Sequence, residues 1–236
     1  STSSSVLSSP SRFPSMVDGS LSALLEKRRK PWIVIDGVLG VGKSSLADAF
    51  KEDVEPKMHV VEEPIDKWGE QLELYYGDQK KHAFTTNMMI LQHHLKTADL
   101  TAASDPKRGV ISERSPLSQV RIFAQISYDN GELTETEFKI IKQFLGLLQE
   151  KDPPCMPTHY VLLEASVDTC LQRLQKRGRP YEQHESMREF LDLVAGKLED
   201  TYQDIESKRA MNLASGAEVI RISAEGTAKE VGKAFI

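Results

Sequence analysis

Apolar residues follow two rhythms from residue 31 onward. Short apolar runs predict strands at 31–36, 58–62, 109–112, 159–164 and 218–223. Between them apolar positions recur at helical spacing. They predict helices over 43–51, 66–76, 82–103, 116–128, 134–150, 167–177, 185–211 and 227–235. Strands separated by helices imply βαβ units. The predicted fold class is therefore α/β, a five-stranded parallel sheet flanked by helices. Residues 105–109 and 151–154 carry Pro, Asp and Gly and read as loops feeding strands. With no internal repeat visible, 21–236 reads as a single domain.

The first 20 residues break the pattern. They are rich in Ser and Pro, which predicts disorder, and they lack the apolar core of a secretory signal. No apolar run approaches the roughly 20 residues that span a bilayer. The 236-residue chain carries a net charge of −5 with 28% charged residues. Without an excess of basic charge, polymeric nucleic acid is not expected as the main ligand. Two cysteines, Cys155 and Cys170, make no disulfide framework and no zinc spacing. They predict a reduced compartment, the cytoplasm first. Two features point elsewhere as secondary readings: the Ser-rich start with Arg12 towards mitochondria, and the basic run 26–30 towards the nucleus.

The chemistry begins after the first strand. Residues 37–44 read G-x-x-x-x-G-K-S, a phosphate-binding loop opening onto a helix. Gly37, Gly40 and Gly42 let the backbone double back with its N–H groups turned inward. Those amides and the positive helix end hold triphosphate oxygens. Lys43 is expected to reach the β- and γ-phosphates. Ser44, with Ser45 beside it, is expected on the nucleotide and Ser44 on Mg²⁺. The loop by itself says only that a nucleoside triphosphate binds.

Three further clusters stand at predicted strand ends. Glu62-Glu63-Pro64 places a carboxylate directly after a strand, where it can take a proton from a hydroxyl. Glu113-Arg114-Ser115 ends another strand with an acid able to bind Mg²⁺ and a guanidinium able to bridge phosphate. Arg173 and Arg177 lie one helical turn apart and lead into Gly178-Arg179-Pro180-Tyr181-Glu182. Arginines on such a segment can close over a transferring phosphoryl group.

Taken together, these pieces resemble the deoxyribonucleoside kinase family: deoxycytidine and deoxyguanosine kinases, the insect multisubstrate kinase and, more distantly, herpesviral thymidine kinases. GVLGVGKSS, the EP…W of Glu63-Pro64…Trp68, LELYYGDQKK at 72–81, ERS at 113–115 and CLQRLQKRGRPYEQ at 170–183 occur in family order, and the resemblance runs from about 31 to 205. It implies a P-loop kinase with an Arg-rich lid at about 177–185, using ATP and Mg²⁺, and a homodimer formed through the helices after residues 82 and 116. It implies Glu63 as the base for the 5′-hydroxyl and Arg114 as its partner, with Lys43 completing the catalytic set. Glu113 falls on the Mg²⁺-linked acid. Tyr76 and Glu182 fall on the pair that binds the sugar 3′-hydroxyl. Arg173, Arg177 and Arg179 become lid arginines, and Trp68, Tyr75, Phe84 and Phe123 become walls around the base.

Two positions depart from the family pattern. Asn87 stands where a Gln usually reads the base, and Gln119 where deoxycytidine-preferring members carry an acid. By the same counting His94 falls one turn further along the pocket side. Asn87 and Gln119 suit a pyrimidine with O and N–H edges, so thymidine or a mixed pyrimidine substrate is expected. The alternatives are a thymidylate kinase, which the uncharged Val38-Leu39 of the loop disfavours, and a nucleotide-switch NTPase or nucleotide-binding protein, which the Ser-Glu-Arg strand end disfavours.

Overall fold

The apolar run Trp32–Gly37 (β1) becomes the middle strand of a five-stranded sheet. In the computed structural model, which describes residues 31–54, 58–103, 109–150, 156–211, 217–227 and 230–231, β1 pairs in parallel with Gly109–Glu113 (β3) and His159–Glu164 (β4). Met58–Val61 (β2) pairs with β3, and Glu218–Ser223 (β5) with β4, giving the order β2-β3-β1-β4-β5. All four pairings are parallel. The sheet is the α/β arrangement that the apolar rhythm predicts. Every residue of β3 is buried, and all of β1 except Ile33. That double-sided burial is why these strands read as continuous apolar runs rather than alternating ones. The Ser/Pro-rich start, the basic run 26–30, Cys155 and most of the helix expected over 227–235 lie outside the described residues.

The register matters for the site. Ile35 sits opposite Glu113 on one side, and Gly37 opposite Leu163 on the other. The ends of β1 and β3 therefore finish together, bringing the loop after residue 36 beside Glu113 and Arg114. The strand order reverses at β1, and ligands bind at such switch points beyond the carboxyl ends.

Seven helices flank the sheet among the described residues: Lys43–Val54 (α1), Ile65–Gly77 (α2), Gln79–Ala103 (α3), residues 116–129 (α4), Glu135–Gln149 (α5), Val167–Arg177 (α6) and Met187–Ala210 (α7). Local signals set their ends. Thr134 and Glu137 form a capping box at the start of α5. Ser166 caps α6, and Gly178, at φ +74°, closes it.

The helices differ from expectation most clearly at three places. Only Asp78 interrupts α2 and α3, where five residues were expected between the helices. A short 3₁₀ turn, Pro180–Glu182, precedes α7. The middle of α4, Gln119–Ala124, is a π-helical turn. One wider turn leaves the apolar period almost unchanged, so the sequence pattern does not register it.

Candidate active site

The loop after β1 folds tightly against its neighbours. A side chain at Gly40, whose φ is +80°, would place its Cβ 2.6 Å from the Cys170 carbonyl oxygen of α6; at Gly37 the Cβ would lie 2.7 Å from the Leu163 carbonyl oxygen of β4. Only glycine allows that approach. Gly42, at φ +112°, faces open space instead, as a phosphate cradle requires. Lys43 is buried and donates to the carbonyls of Gly37 and Val38 at 3.2 and 3.1 Å. Burial, and then the Arg114 charge, bring its pKa down to about 8. Ser44 and Ser45 are exposed on the same cavity.

Arg114 occupies the centre. It is the one residue other than glycine with a positive φ among those described, +55°. Such a backbone costs energy and persists only where its surroundings hold it. Its N–H donates to the Ile35 carbonyl at 3.0 Å. Its own carbonyl accepts from Ser112 Oγ, which in turn accepts from Trp32 Nε1. The side chain turns towards Glu63: Nη1 donates to Oε2 at 2.8 Å. Phe123 supplies a cation–π face, 4.6 Å from Cζ to the ring centre. Arg114 Nε lies 3.8 Å from Asp36 Oδ1. Its Nε and Nη2 are buried and without hydrogen-bond partners among the described residues.

Asp36 is fully buried at the end of β1. It accepts from the Gly37 N–H at 2.7 Å, from the Tyr202 hydroxyl of α7 at 2.7 Å, and from Ser118 Oγ of α4. One carboxylate thus ties the phosphate loop, two helices and the Arg114 guanidinium together. Glu63 is flanked on its other side by His94, whose Nε2 stands 3.7 Å from Oε1. Burial raises the Glu63 carboxyl, but the Arg114 guanidinium, helped by Lys43, outweighs it and holds the pKa below its ordinary value. His94 is completely buried and its pKa falls to about 3, mainly through desolvation, so the ring is neutral. It is not among the residues lining the cavity and stands behind Glu63, rather than further along the pocket wall where the sequence count put it.

Glu113 is buried 4% exposed, and its Oε1 has no hydrogen-bond partner among the described residues. Burial first and Glu63 second push its carboxyl up, while Ser44 and Lys43 pull it down. An orphaned acceptor beside the Ser44 hydroxyl fits a hard cation. No group of three or more His, Cys, Asp or Glu could cage a metal among the described residues.

The cavity of about 820 Å³ runs from the phosphate loop to α3 and α4. Trp68, Tyr75, Tyr76, Asn87, Gln119 and Phe123 line its far end. The π-helical turn carries Gln119 and Phe123 into it. Gln119 Nε2 donates to Asn87 Oδ1 at 2.8 Å, and Asn87 Nδ2 donates to the Ala83 carbonyl at 2.9 Å. The two amides therefore act as one unit. Phe84 does not line the cavity; it packs half-buried against the core, so the expectation that it walls the base is corrected.

The three arginines divide. Arg177 clamps Glu182 through Nε and Nη2, at 3.0 and 2.5 Å, and Arg179 Nη1 lies 3.6 Å from the same carboxylate. Arg173 points elsewhere. It donates to the carbonyls of Val41 at 2.9 Å, Ala224 at 2.9 Å and Gly226 at 3.0 Å. Instead of the free phosphate ligand expected of a lid arginine, it ties the phosphate loop to the segment after β5.

Of the residues expected in the site from sequence, all but Gly37, Phe84 and His94 line this cavity. Gly37 sits behind it, its carbonyl accepting from Lys43. Asp36, Tyr202 and Tyr181 were missed, along with the segment 224–227 that lines the cavity near the loop. That segment could have been found from the rule that loops after parallel strands face the ligand.

The chain is similar to several known proteins. A family model described as deoxynucleoside kinase matches residues 33–231. The deoxyadenosine kinase of Lactobacillus acidophilus is 34% identical over 154 residues, 64% of this chain and 68% of that protein. The deoxyguanosine kinase of the same organism is 32% identical over 158 residues, 64% of each chain. Human mitochondrial thymidine kinase 2 is 27% identical over 165 residues, 66% of this chain and 59% of that protein. Among solved structures, the deoxyadenosine kinase from M. mycoides, with products dCMP and a flexible dCDP bound, matches with a TM-score of 0.68 at 21% identity. That match covers 86% of this chain and 96% of the other, and it is a likeness of fold.

Proposed function

The chain belongs to the deoxynucleoside kinase family, and from that premise we propose that it transfers the γ-phosphoryl group of ATP to the 5′-hydroxyl of a deoxyribonucleoside in nucleotide salvage, thymidine or another pyrimidine first. The observation that carries the reading is the Glu63–Arg114 pair, buried at 2.8 Å in the cavity between the phosphate loop and the aromatic end. A base next to a guanidinium, with a phosphate cradle on one side and a flat-walled pocket on the other, suits phosphoryl transfer to a hydroxyl.

In this reading the inward amides of the loop and Lys43 hold the donor phosphates. Glu63, ionised at neutral pH, takes the hydroxyl proton as in-line attack proceeds. Arg114 keeps Glu63 aimed through Nη1 and offers its unbonded Nη2 to the transferring group. Arg177 and Arg179 approach the donor from the lid. Glu113 and Ser44 would hold Mg²⁺, which supplies charge neutralisation to the phosphates when bound. Tyr76 and Glu182 grip the sugar 3′-hydroxyl. The lid must release for ADP to leave, so its opening sets an upper bound on turnover.

The amide pair supports the pyrimidine preference. With Gln119 Nε2 engaged on Asn87, the Gln119 carbonyl oxygen is the acceptor for a base N–H such as thymine N3–H. A second reading, a purine acceptor, is supported by the deoxyadenosine and deoxyguanosine kinases among the similar proteins; against it, the Ala83 carbonyl can only accept and so fixes the orientation of the Asn87 amide and of Gln119 with it. A homodimer belongs to the proposal; Leu100 on α3, 49% exposed, is an apolar residue such an interface would cover. Rates with labelled ATP and each of the four deoxynucleosides, with thymidine monophosphate and water as further acceptors, test the proposal. Thymidine turnover supports it. Turnover of the monophosphate or of water alone overturns it.

A further inference from the structure

The 3₁₀ turn of the lid carries an aromatic contact that the chemistry above leaves unused. Tyr181, the middle residue of Pro180–Glu182, lies nearly parallel to Tyr76 of α2, with ring planes 12° apart and centroids 5.7 Å apart. Tyr76 meets Tyr75 edge-on at 5.3 Å. All three rings line the cavity. The next residue, Glu182, is buried and clamped by Arg177 at the end of α6.

The turn is thus fastened at two points facing different elements. Its carboxylate is held by Arg177 at the end of α6. Its ring is held by α2, which forms the acceptor wall. Consecutive residues in a turn that begins with Pro180 have little freedom to move apart. Where the Tyr181 ring rests on Tyr76, Glu182 is brought to a fixed station beside Tyr76. The contact is a slipped stack, the arrangement aromatic pairs favour over face-to-face overlap. Burial holds the Tyr181 hydroxyl above its ordinary pKa, with Arg179, Glu182, Arg177 and Asp66 the charged groups acting on it. None of them is needed for the ring contact.

We infer that Tyr181 is a positioning residue of the acceptor site: its ring on Tyr76 sets the spacing of Tyr76 and Glu182, and so the enzyme's demand for a 3′-hydroxyl on its deoxynucleoside. The inference rests on the deoxynucleoside kinase reading of this cavity. Donor binding lies on the arginine side of the turn and is left unchanged by the loss of the ring.

Steady-state kinetics of Tyr181→Ala and Tyr181→Phe test this, with the preferred deoxynucleoside and with its 2′,3′-dideoxy analogue. Where the analogue turns over too slowly, its inhibition constant replaces its KM. Tyr181→Ala should raise KM for the deoxynucleoside about five- to tenfold, the scale of a lost aromatic stack. KM for ATP should stay within about twofold, and Tyr181→Phe should behave as wild type. For the dideoxy analogue the penalty of Tyr181→Ala should shrink to about twofold or less, because the group being positioned for is absent. Equal penalties for both sugars, a parallel rise in KM for ATP, or no effect of Tyr181→Ala would overturn the inference while leaving the kinase reading intact. If Tyr181→Ala does not fold, Tyr181→Leu, which keeps apolar bulk without a ring, takes its place under the same outcomes. A wild-type protein inert towards every deoxynucleoside overturns the functional reading, and this inference with it.

Discussion

Tyr202 donates its hydroxyl to Asp36 at 2.7 Å, joining two buried residues 166 positions apart. The bond fixes α7 to the last turn of chain before the phosphate loop. Ser118 and the Gly37 N–H bind the same carboxylate, and Arg114 stands 3.8 Å away. A hydrogen bond to a buried charge contributes about 1.5–3 kcal/mol. Tyr202→Phe should lower stability by about that amount in denaturant titrations, with a modest loss of kcat through the less firmly held loop. A change below about 0.5 kcal/mol would mean that Asp36 is held well enough by its other donors.

Glu63→Gln keeps the shape and the contact with Arg114 but cannot accept the proton. Its kcat should fall by about 10²–10⁴-fold, with KM for both substrates within a few-fold. A variant keeping more than about a tenth of wild-type kcat would remove Glu63 from the role of base.

The pH dependence of stability should carry the signature of His94. Its folded pKa of about 3 lies below the unfolded value of 6.5. Between those values the unfolded chain holds the extra proton, so stability is full above about pH 6.5 and is lost as pH falls. From pH 7 to 5 the loss from this one ring is about 2 kcal/mol. Glu63, whose folded pKa is also depressed, adds a loss of the same sign at lower pH. His94→Leu should flatten the pH 7-to-5 change by about 2 kcal/mol when unfolding is followed at both pH values. An unchanged slope would show that the ring is protonated in the folded protein.

Arg173 and Arg177 should separate cleanly. Arg173→Lys keeps a charge but not the fork that spans the carbonyls of Val41, Ala224 and Gly226. It should cost about 1–3 kcal/mol of stability, read by thermal or chemical unfolding. Arg177→Lys, at a side chain 37% exposed, should leave stability nearly unchanged and raise KM for ATP. The reverse pattern would return Arg173 to the lid role that its place in the sequence suggests.

What could be read without a structure follows the range of the interactions. The five strands and the phosphate loop are written locally, in an apolar run at 32–36 and three glycines within six positions. Glu63, Glu113 and Arg114 could be found because each stands at, or within two residues of, the carboxyl end of a strand. The role of Asp36 could not: its partners lie 82 and 166 positions away. Arg173 looked like a free cation because its carbonyl partners belong to segments 51 to 132 residues distant. Phe84 followed the helical period equally well as base wall or as core, and packing chose the core.

The wide turn at Gln119–Ala124 has a consequence for how such a site changes over time. A π turn is an α-helix with one surplus residue. Deleting one position between Gln119 and Phe123 would restore the regular ladder and bring the two from four residues apart to three. They would still share a face of α4, but with a different offset, and the edge offered to the base would shift without a single substitution. A change of chain length at this one point can therefore reshape the acceptor end of the cavity as a side-chain change can.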